Sequence, residues 1–162
     1  MKSKHFDSPL GSLYAESSDV GITKLLFIDG RQADRQTAGP GESPHLDACA
    51  KWLAAYWEGD FAGLPAVAID PKGTGFEQAV WTELLAIAPG TTRSYSRVAE
   101  IVGCPAARAV GTAVGKNPLA LVVPCHRVIG ANGSLTGYAA GLHRKEWLLK
   151  HEGALSGQLP LF

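Results

Sequence analysis

Ser94-Tyr95-Ser96-Arg97-Val98-Ala99-Glu100-Ile101-Val102-Gly103-Cys104-Pro105-Ala106-Ala107-Arg108-Ala109-Val110-Gly111 reads as two short helices around a glycine turn. Ser94 caps a first helix through Val102, Gly103 supplies a left-handed stop, and Pro105 opens a second helix that reaches about Val114. Helix, glycine turn, helix is the pattern whose second member lies against a DNA groove, although such pairs also occur in domains that bind no DNA. The second helix has an unusual surface for that task. Ala106, Ala107, Ala109, Gly111 and Ala113 let a backbone approach closely, and Arg108 is the long side chain among them. Readers of base sequence carry several Arg, Asn or Gln side chains, so this helix suits recognition of shape or of a damaged base. Close packing of two helices with an exposed arginine is the competing reading.

Downstream, Pro124-Cys125-His126-Arg127-Val128 closes the apolar run Leu119 to Val123. The thiolate is the reactive form of cysteine, and neighbouring basic groups make it available near neutral pH. Cys125 is therefore the candidate nucleophile, against the alternative of a small core cysteine. Consecutive side chains of an extended segment point to opposite sides, so direct contact of Cys125 with His126 requires a sharp turn.

Upstream, Thr74-Gly75-Phe76-Glu77 is a capping box, and Phe76, Val80, Trp81, Leu84 and Ile87 form an apolar stripe that ends before Pro89-Gly90. Pro71-Lys72-Gly73 marks a boundary, giving an amino-terminal α/β scaffold over residues 1–73 and a second domain over 74–162. In the first domain Leu10 to Glu16 and Ile22 to Ile28 read as a hairpin, and a glycine- and proline-rich stretch runs from Thr37 to Pro44. Leu46, Cys49, Leu53, Tyr56 and Trp57 recur at helical spacing, and Ala66 to Ile69 reads as a third strand.

Charge divides along the same line. Residues 1–75 hold seven Lys/Arg against ten Asp/Glu, and residues 76–162 hold eight against five, so the balanced chain is basic in its second half. That suits contact with a polyanion there and argues against tight non-specific binding, which needs many phosphate contacts. With 46% apolar residues the chain can build an ordinary core. The five-residue run 119–123 is too short to cross a bilayer and no signal-peptide segment is evident, so a cytoplasmic protein is expected. Cys49, Cys104 and Cys125 form no CxxC pair, which leaves neither a disulfide framework nor a zinc ribbon.

Arg-Ala-Val-Gly at 108–111, Asn117-Pro118, Pro-Cys-His-Arg-Val-Ile at 124–129, Gly133-Ser134-Leu135-Thr136-Gly137-Tyr138 and Arg144-Lys145-Glu146-Trp147-Leu148-Leu149 occur in order. Together they resemble the O6-alkylguanine-DNA alkyltransferases, also called methylated-DNA–protein-cysteine methyltransferases. The resemblance is dense over residues 75–153 and extends to the amino-terminal half in outline. It implies an α+β fold: a small antiparallel, ribonuclease-H-like sheet with a helix, then a mainly helical, winged helix-turn-helix domain bearing the cysteine loop. It implies monomeric action on double-stranded DNA containing alkylated guanine, with alkylated thymine as a further substrate, and an association with the nucleoid when bound.

The same resemblance assigns roles. Cys125 accepts the alkyl group in a single turnover, His126 reaches it through a water, and Glu152 orients His126. Tyr95 presses on a backbone phosphate and offers its hydroxyl to the base, Arg108 enters the duplex in place of the extruded nucleotide, and Asn117 ties the active-site loop to the recognition helix. Tyr138 lines the alkyl pocket, the backbone around Cys125 and Val128 reads the guanine edge, and Ser94, Ala109, Gly111 and Lys145 complete the substrate and DNA contacts. Extrusion is needed because O6 of guanine lies inside the stack. Displacement at the alkyl carbon then needs an in-line thiolate, a stabilised leaving group and a dry pocket.

Helix electrostatics singles out Glu152 separately. Gly153 reads as a helix stop, and an anion in the last turn is disfavoured by roughly 0.3–1 kcal/mol, so a partner such as His126 is expected unless Glu152 is a solvated helix end. Ala139-Ala140 stands where family members often have glycine or serine after the pocket tyrosine, which bears on lesion size. No metal or other cofactor is expected, because His45 and Cys49 lack a completing ligand set. Three rivals remain: a lesion sensor, which would lack the cysteine; a Cys-His hydrolase built on Cys125, His126 and Glu152; and a transcriptional regulator using the helix pair.

Overall fold

The computed structural model describes residues 1–29 and 38–154, and the chain divides into two compact units, Met1–Lys72 and Gly73–Phe162. Among the described residues no helix is long and apolar enough to cross a membrane.

In the first unit β1 (Lys2–Phe6), β2 (Leu13–Ser17) and β3 (Ile22–Phe27) form an antiparallel meander, and β4 (Gly39–Pro40) pairs in parallel with β1. The order is β3-β2-β1-β4, with Leu13 facing Phe6 on one side and Phe27 on the other. Helix α1 (Pro44–Trp57) starts at Ser43, whose hydroxyl accepts from the Leu46 amide at 3.0 Å, with proline at the first helical position where no amide is needed. Its buried face, Leu46, Cys49, Leu53 and Tyr56, joins Leu13, Ala15, Ile22, Leu25 and Phe27 in the core of this unit.

Three expectations change here. β1 was not anticipated, because Lys2-Ser3-Lys4-His5-Phe6 buries Ser3 alone and shows no apolar alternation. Leu10 belongs to the Ser8–Gly11 turn, so β2 begins at Leu13. Residues 66–69 make a single parallel bridge, Ile69 to Ile22, instead of a strand. Pro65 and Pro71 flank the segment without amide protons, which limits a ladder there. Of the stretch 37–44, Thr37 lies outside the described residues.

The second unit begins with α2 (Gly75–Leu84). Its capping box closes both ways, the Glu77 amide donating to Thr74 Oγ1 at 3.1 Å and the Thr74 amide to Glu77 Oε1 at 2.8 Å. Val80, Trp81 and Leu84 are buried, as is Ile87 just beyond the helix, whereas Phe76 in the first turn is 39% exposed. Strand β5 (Arg93–Ser94) leads into α3 (Tyr95–Val102), capped by Ser94 and stopped by Gly103 at φ +73°. Helix α4 (Ala107–Gly115) starts two residues after Pro105, from an Ala106 that offers no side-chain cap. Trp81 Nε1 donates to the Ala113 carbonyl at 2.9 Å and so fastens α2 to α4.

A 3-10 turn, Cys125–Arg127, passes into β6 (Val128–Ile129), which pairs in parallel with β5. Arg93 faces Val128 and Ser94 faces Ile129, so the start of the helix pair lies against the end of the cysteine turn. Helix α5 (Leu142–His151) closes the unit, followed by Gly153 at φ +81°.

Candidate active site

The sequence Pro124-Cys125-His126-Arg127 is not extended but coiled into the 3-10 turn, with the Cys125 amide donating to the Val123 carbonyl at 2.8 Å and the Arg127 amide to Pro124 at 3.0 Å. This is the sharp turn that adjacency of Cys125 and His126 needed for contact, yet His126 turns elsewhere. Its Nε2 lies 2.6 Å from Glu152 Oε2, and both side chains are fully buried. Glu152 also receives a two-pronged contact from Arg127, Nε to Oε1 at 2.8 Å and Nη2 to Oε2 at 3.0 Å, while Arg127 Nη1 donates to the Ile87 carbonyl at 2.7 Å. Glu152 is therefore a buried anchor for His126 and Arg127 and not a solvated helix end.

Burial alone would raise the Glu152 carboxyl, but the hydrogen bonds from His126 and Arg127 and the Arg127 charge outweigh it and hold the group down at about 2. Glu152 is ionised and Arg127 balances its charge. For His126 burial dominates and lowers the imidazole, more than Glu152 raises it, so the ring is neutral. With Nε2–H donating to Glu152, the neutral tautomer presents Nδ1 as an acceptor, and Nδ1 is buried with no hydrogen-bond partner among the described residues.

Cys125 is 8% exposed. Burial raises its thiol, and the Asn117 side chain, the Lys145 charge and the neighbouring backbone amides oppose that rise. Asn117 follows α4 and organises the approach to the cysteine. Its Oδ1 accepts from the Leu119 amide at 2.9 Å, and its Nδ2 donates to the carbonyls of Leu119 at 3.3 Å and Val123 at 2.8 Å. Within that loop the buried Leu121 has φ +72°, the one positive φ of a non-glycine residue among those described, a strain of about 1–3 kcal/mol.

Two tyrosines and a lysine complete the surroundings. Tyr95 donates from its hydroxyl to the Thr136 carbonyl at 3.2 Å, and its ring lies against Gly111, where an added Cβ would touch it at 3.8 Å. Tyr138 is buried, and its hydroxyl has no partner among the described residues. Burial raises both phenols and the Cys125 charge raises them further, so both are neutral donors. Lys145 donates from Nζ to the carbonyls of Thr136 at 2.8 Å and Gly137 at 3.2 Å and sits 5.7 Å from the Tyr95 ring centre.

Cys125, His126, Glu152, Asn117, Tyr95, Tyr138 and Lys145 thus converge. Val128 is buried, with its amide donating back to the Cys125 carbonyl, and Ser94 is occupied in capping α3. Arg108 and Ala109 lie on α4 away from this cluster's interior; Arg108 is exposed, with no ion pair among the described residues. By contrast all five carboxylates of residues 76–154 meet a Lys or Arg: Glu77 with Lys116, Glu83 with Arg93, Glu100 with Arg97, Glu146 with Lys150 and Glu152 with Arg127.

The pairing of Arg127 with Glu152 and the burial of Lys145 escaped the sequence reading. A signal existed for Lys145, since 145, 148, 149 and 152 keep the spacing of a buried helical stripe. The other cysteines differ from Cys125. Burial pushes Cys49 up to about 12, and Cys104 Sγ lies 3.4 Å from the Ala106 carbonyl. Among the described residues no group of three or more His, Cys, Asp or Glu is arranged to hold a metal ion.

A sequence profile for 6-O-methylguanine DNA methyltransferase, DNA binding domain, matches residues 75–154. The chain is 41% identical over 151 residues to a methylated-DNA–protein-cysteine methyltransferase of Methanosarcina acetivorans, spanning 92% of this chain and 96% of that one. It is 46% identical over 148 residues to one from Mycolicibacterium paratuberculosis, spanning 90% and 88%. The crystal structure of Mycobacterium tuberculosis OGT in complex with DNA matches with a TM-score of 0.83 at 40% identity, over 95% of this chain and 94% of the other. Near-complete coverage at these identities, around a built cysteine site, means that the chain belongs to the methylated-DNA–protein-cysteine methyltransferases.

Proposed function

We propose that the protein repairs alkylated DNA by direct reversal, with Cys125 as the irreversible acceptor. The thiolate attacks the alkyl carbon of an O6-alkylguanine, an S–C bond forms, the C–O6 bond breaks, and its electron pair leaves with the guanine oxygen. The observation that carries this reading is the buried Cys125 turn, in which the adjacent His126 is held through Nε2 by Glu152 and keeps a buried Nδ1 with no partner among the described residues. His126 takes the thiol proton, by resemblance through a water, and Tyr95 or Tyr138, both neutral phenols, can supply a proton to the departing purine.

Residues 74–162 would supply DNA binding and alkyl transfer, with residues 1–73 as a ribonuclease-H-like scaffold. The α3–α4 pair acts as the winged helix-turn-helix, its small-residue face on Ala109 and Gly111 lying in a groove of double-stranded DNA. Arg108 occupies the space of the extruded nucleotide, since it is the exposed arginine of α4 without an ionic partner. Asn117 holds the loop, Tyr138 lines the alkyl pocket, the backbone near Val128 reads the guanine edge, and the protein works as a monomer in the cytoplasm.

Incubation with duplex DNA carrying one O6-methylguanine, followed by intact-protein and peptide mass spectrometry, tests this. One methyl group on Cys125 and no second round with excess substrate are expected. Repeated turnover, as a Cys-His hydrolase would give, or an unmodified protein beside an intact lesion, overturns it.

A further inference from the structure

Glu152 is one carboxylate between two basic side chains. Its Oε2 accepts from His126 Nε2 at 2.6 Å and from Arg127 Nη2 at 3.0 Å, and its Oε1 accepts from Arg127 Nε at 2.8 Å. The side chains of His126 and Glu152 are fully buried and that of Arg127 nearly so. In such a cluster one cation balances the carboxylate, and a second leaves a net charge away from water. Arg127 is always that cation, because a guanidinium keeps its proton throughout the working range. Its remaining arm donates to the Ile87 carbonyl at 2.7 Å, just past α2, so the fork is fixed on both oxygens of Glu152 and on a second element.

A histidine and a glutamate buried together without the arginine would behave differently. The ring would take up a proton, since an imidazolium beside a carboxylate leaves no net charge. A ring that carries both protons has no lone pair left with which to accept another. We propose that Arg127 is a positioning residue for the reaction: by answering the charge of Glu152 it leaves that carboxylate to orient His126 while keeping the ring a neutral base at rest. The proposal deepens the reading of His126 as the acceptor of the Cys125 proton and rests on it, although the charge of the ring can be observed without that reaction.

The other charges around the turn agree. From α5, Lys145 is a second buried cation, held by the carbonyls of Thr136 and Gly137, and its charge opposes an imidazolium in the same sense as that of Arg127. From α2, Glu77 and Glu83 are engaged by Lys116 and Arg93. Cys125 within the turn and Tyr138 from the loop before α5 are both raised by burial and add no charge at neutral pH. Burial is the largest influence lowering His126, Glu152 raises it, and Arg127 and Lys145 lower it again.

Ring nitrogen shifts of His126, followed by NMR against pH in the wild type, Arg127→Met and Arg127→Lys, test this without DNA; the signal is assigned by its loss in His126→Gln. The wild-type ring should be the neutral Nε2–H tautomer at pH 7, and an imidazolium there overturns the proposal whether or not any variant folds. In Arg127→Met the midpoint should rise by about one pH unit or more, while Arg127→Lys, which keeps the charge, should stay near the wild type. An unchanged midpoint in a folded Arg127→Met protein refutes the role of Arg127. If circular dichroism shows that Arg127→Met does not fold, Arg127→Gln is compared with Arg127→Lys: proton uptake in the glutamine variant alone is expected, and equal midpoints refute the proposal. The expected shifts in a protein that accepts no methyl group from DNA would defeat the repair reading and leave the charge assignment standing.

Discussion

Replacing Glu152 by glutamine keeps the shape of the side chain and removes the one negative charge that Arg127 and His126 share. Glu152 is 7% exposed, so solvent does little to soften the loss. The carboxyl lies at about 2 in the folded protein against an ordinary value of 4.5, and that difference corresponds to about 3 kcal/mol at neutral pH. Stranding a buried arginine independently suggests about 3–5 kcal/mol. For a chain of this size such a loss lowers Tm by about 6–12 °C. Because the folded value is depressed, the stabilisation is fully present above about pH 4.5 and disappears as pH falls through about 2. Urea titrations of wild type and Glu152→Gln across that range should therefore converge toward the acid end. Arg127→Met should cost a similar amount, and the double variant less than the sum, because each single change leaves the other partner buried alone. A Glu152→Gln penalty under about 1 kcal/mol at pH 7, or one that stays constant from pH 6 to pH 2, would refute the claim that Glu152 carries a buried ion pair.

Arg108→Ala should slow methyl transfer from duplex DNA while leaving reaction with free O6-methylguanine base nearly unchanged, because base extrusion costs a few kcal/mol that a free base avoids; equal losses on both substrates would move Arg108 out of the duplex. Gly103→Ala, at φ +73°, should destabilise the second unit by about 1 kcal/mol in denaturant unfolding, the cost of forcing a side chain into the left-handed region. Asn117→Ala removes the partner of the Leu119 amide and of the Leu119 and Val123 carbonyls, so amide hydrogen exchange over residues 119–125 should speed up more than over α2; uniform change along the unit would show a global effect instead.

The helices were legible where their ends carried local chemistry. Thr74 with Glu77, Ser94, Gly103 and Gly153 act through their own backbone neighbours, and each stands where its residue type requires. Strands fared worse because their partners lie far along the chain. Polar β1 is held by pairing to β2, whereas the apolar segment 66–69 lacks a neighbour for more than one bridge. Phe76 fits the helical stripe by spacing but sits in the first turn, before the helix passes under its neighbours. In the site, the meeting of His126 with Glu152 was expected from helix polarity and family resemblance. The pairing of Arg127 with Glu152 and the burial of Lys145 were not, since burial of a charged side chain depends on what the rest of the chain packs over it, and local pattern treats lysine and arginine as surface residues.

The two-residue ladder between β5 and β6 has a kinetic meaning. Arg93 and Ser94 lead straight into α3, while Val128 and Ile129 lead straight out of the cysteine turn, so the element meant to touch the polymer and the element meant to react are bonded side by side. At this ladder the two segments are direct neighbours. A protein scanning a long lattice of undamaged bases would arrive at each position with its reactive sulfur already placed, and no conformational commitment would separate inspection from reaction. The waiting time at a damaged position would then be governed by how often the base leaves the stack far more than by the cysteine turn.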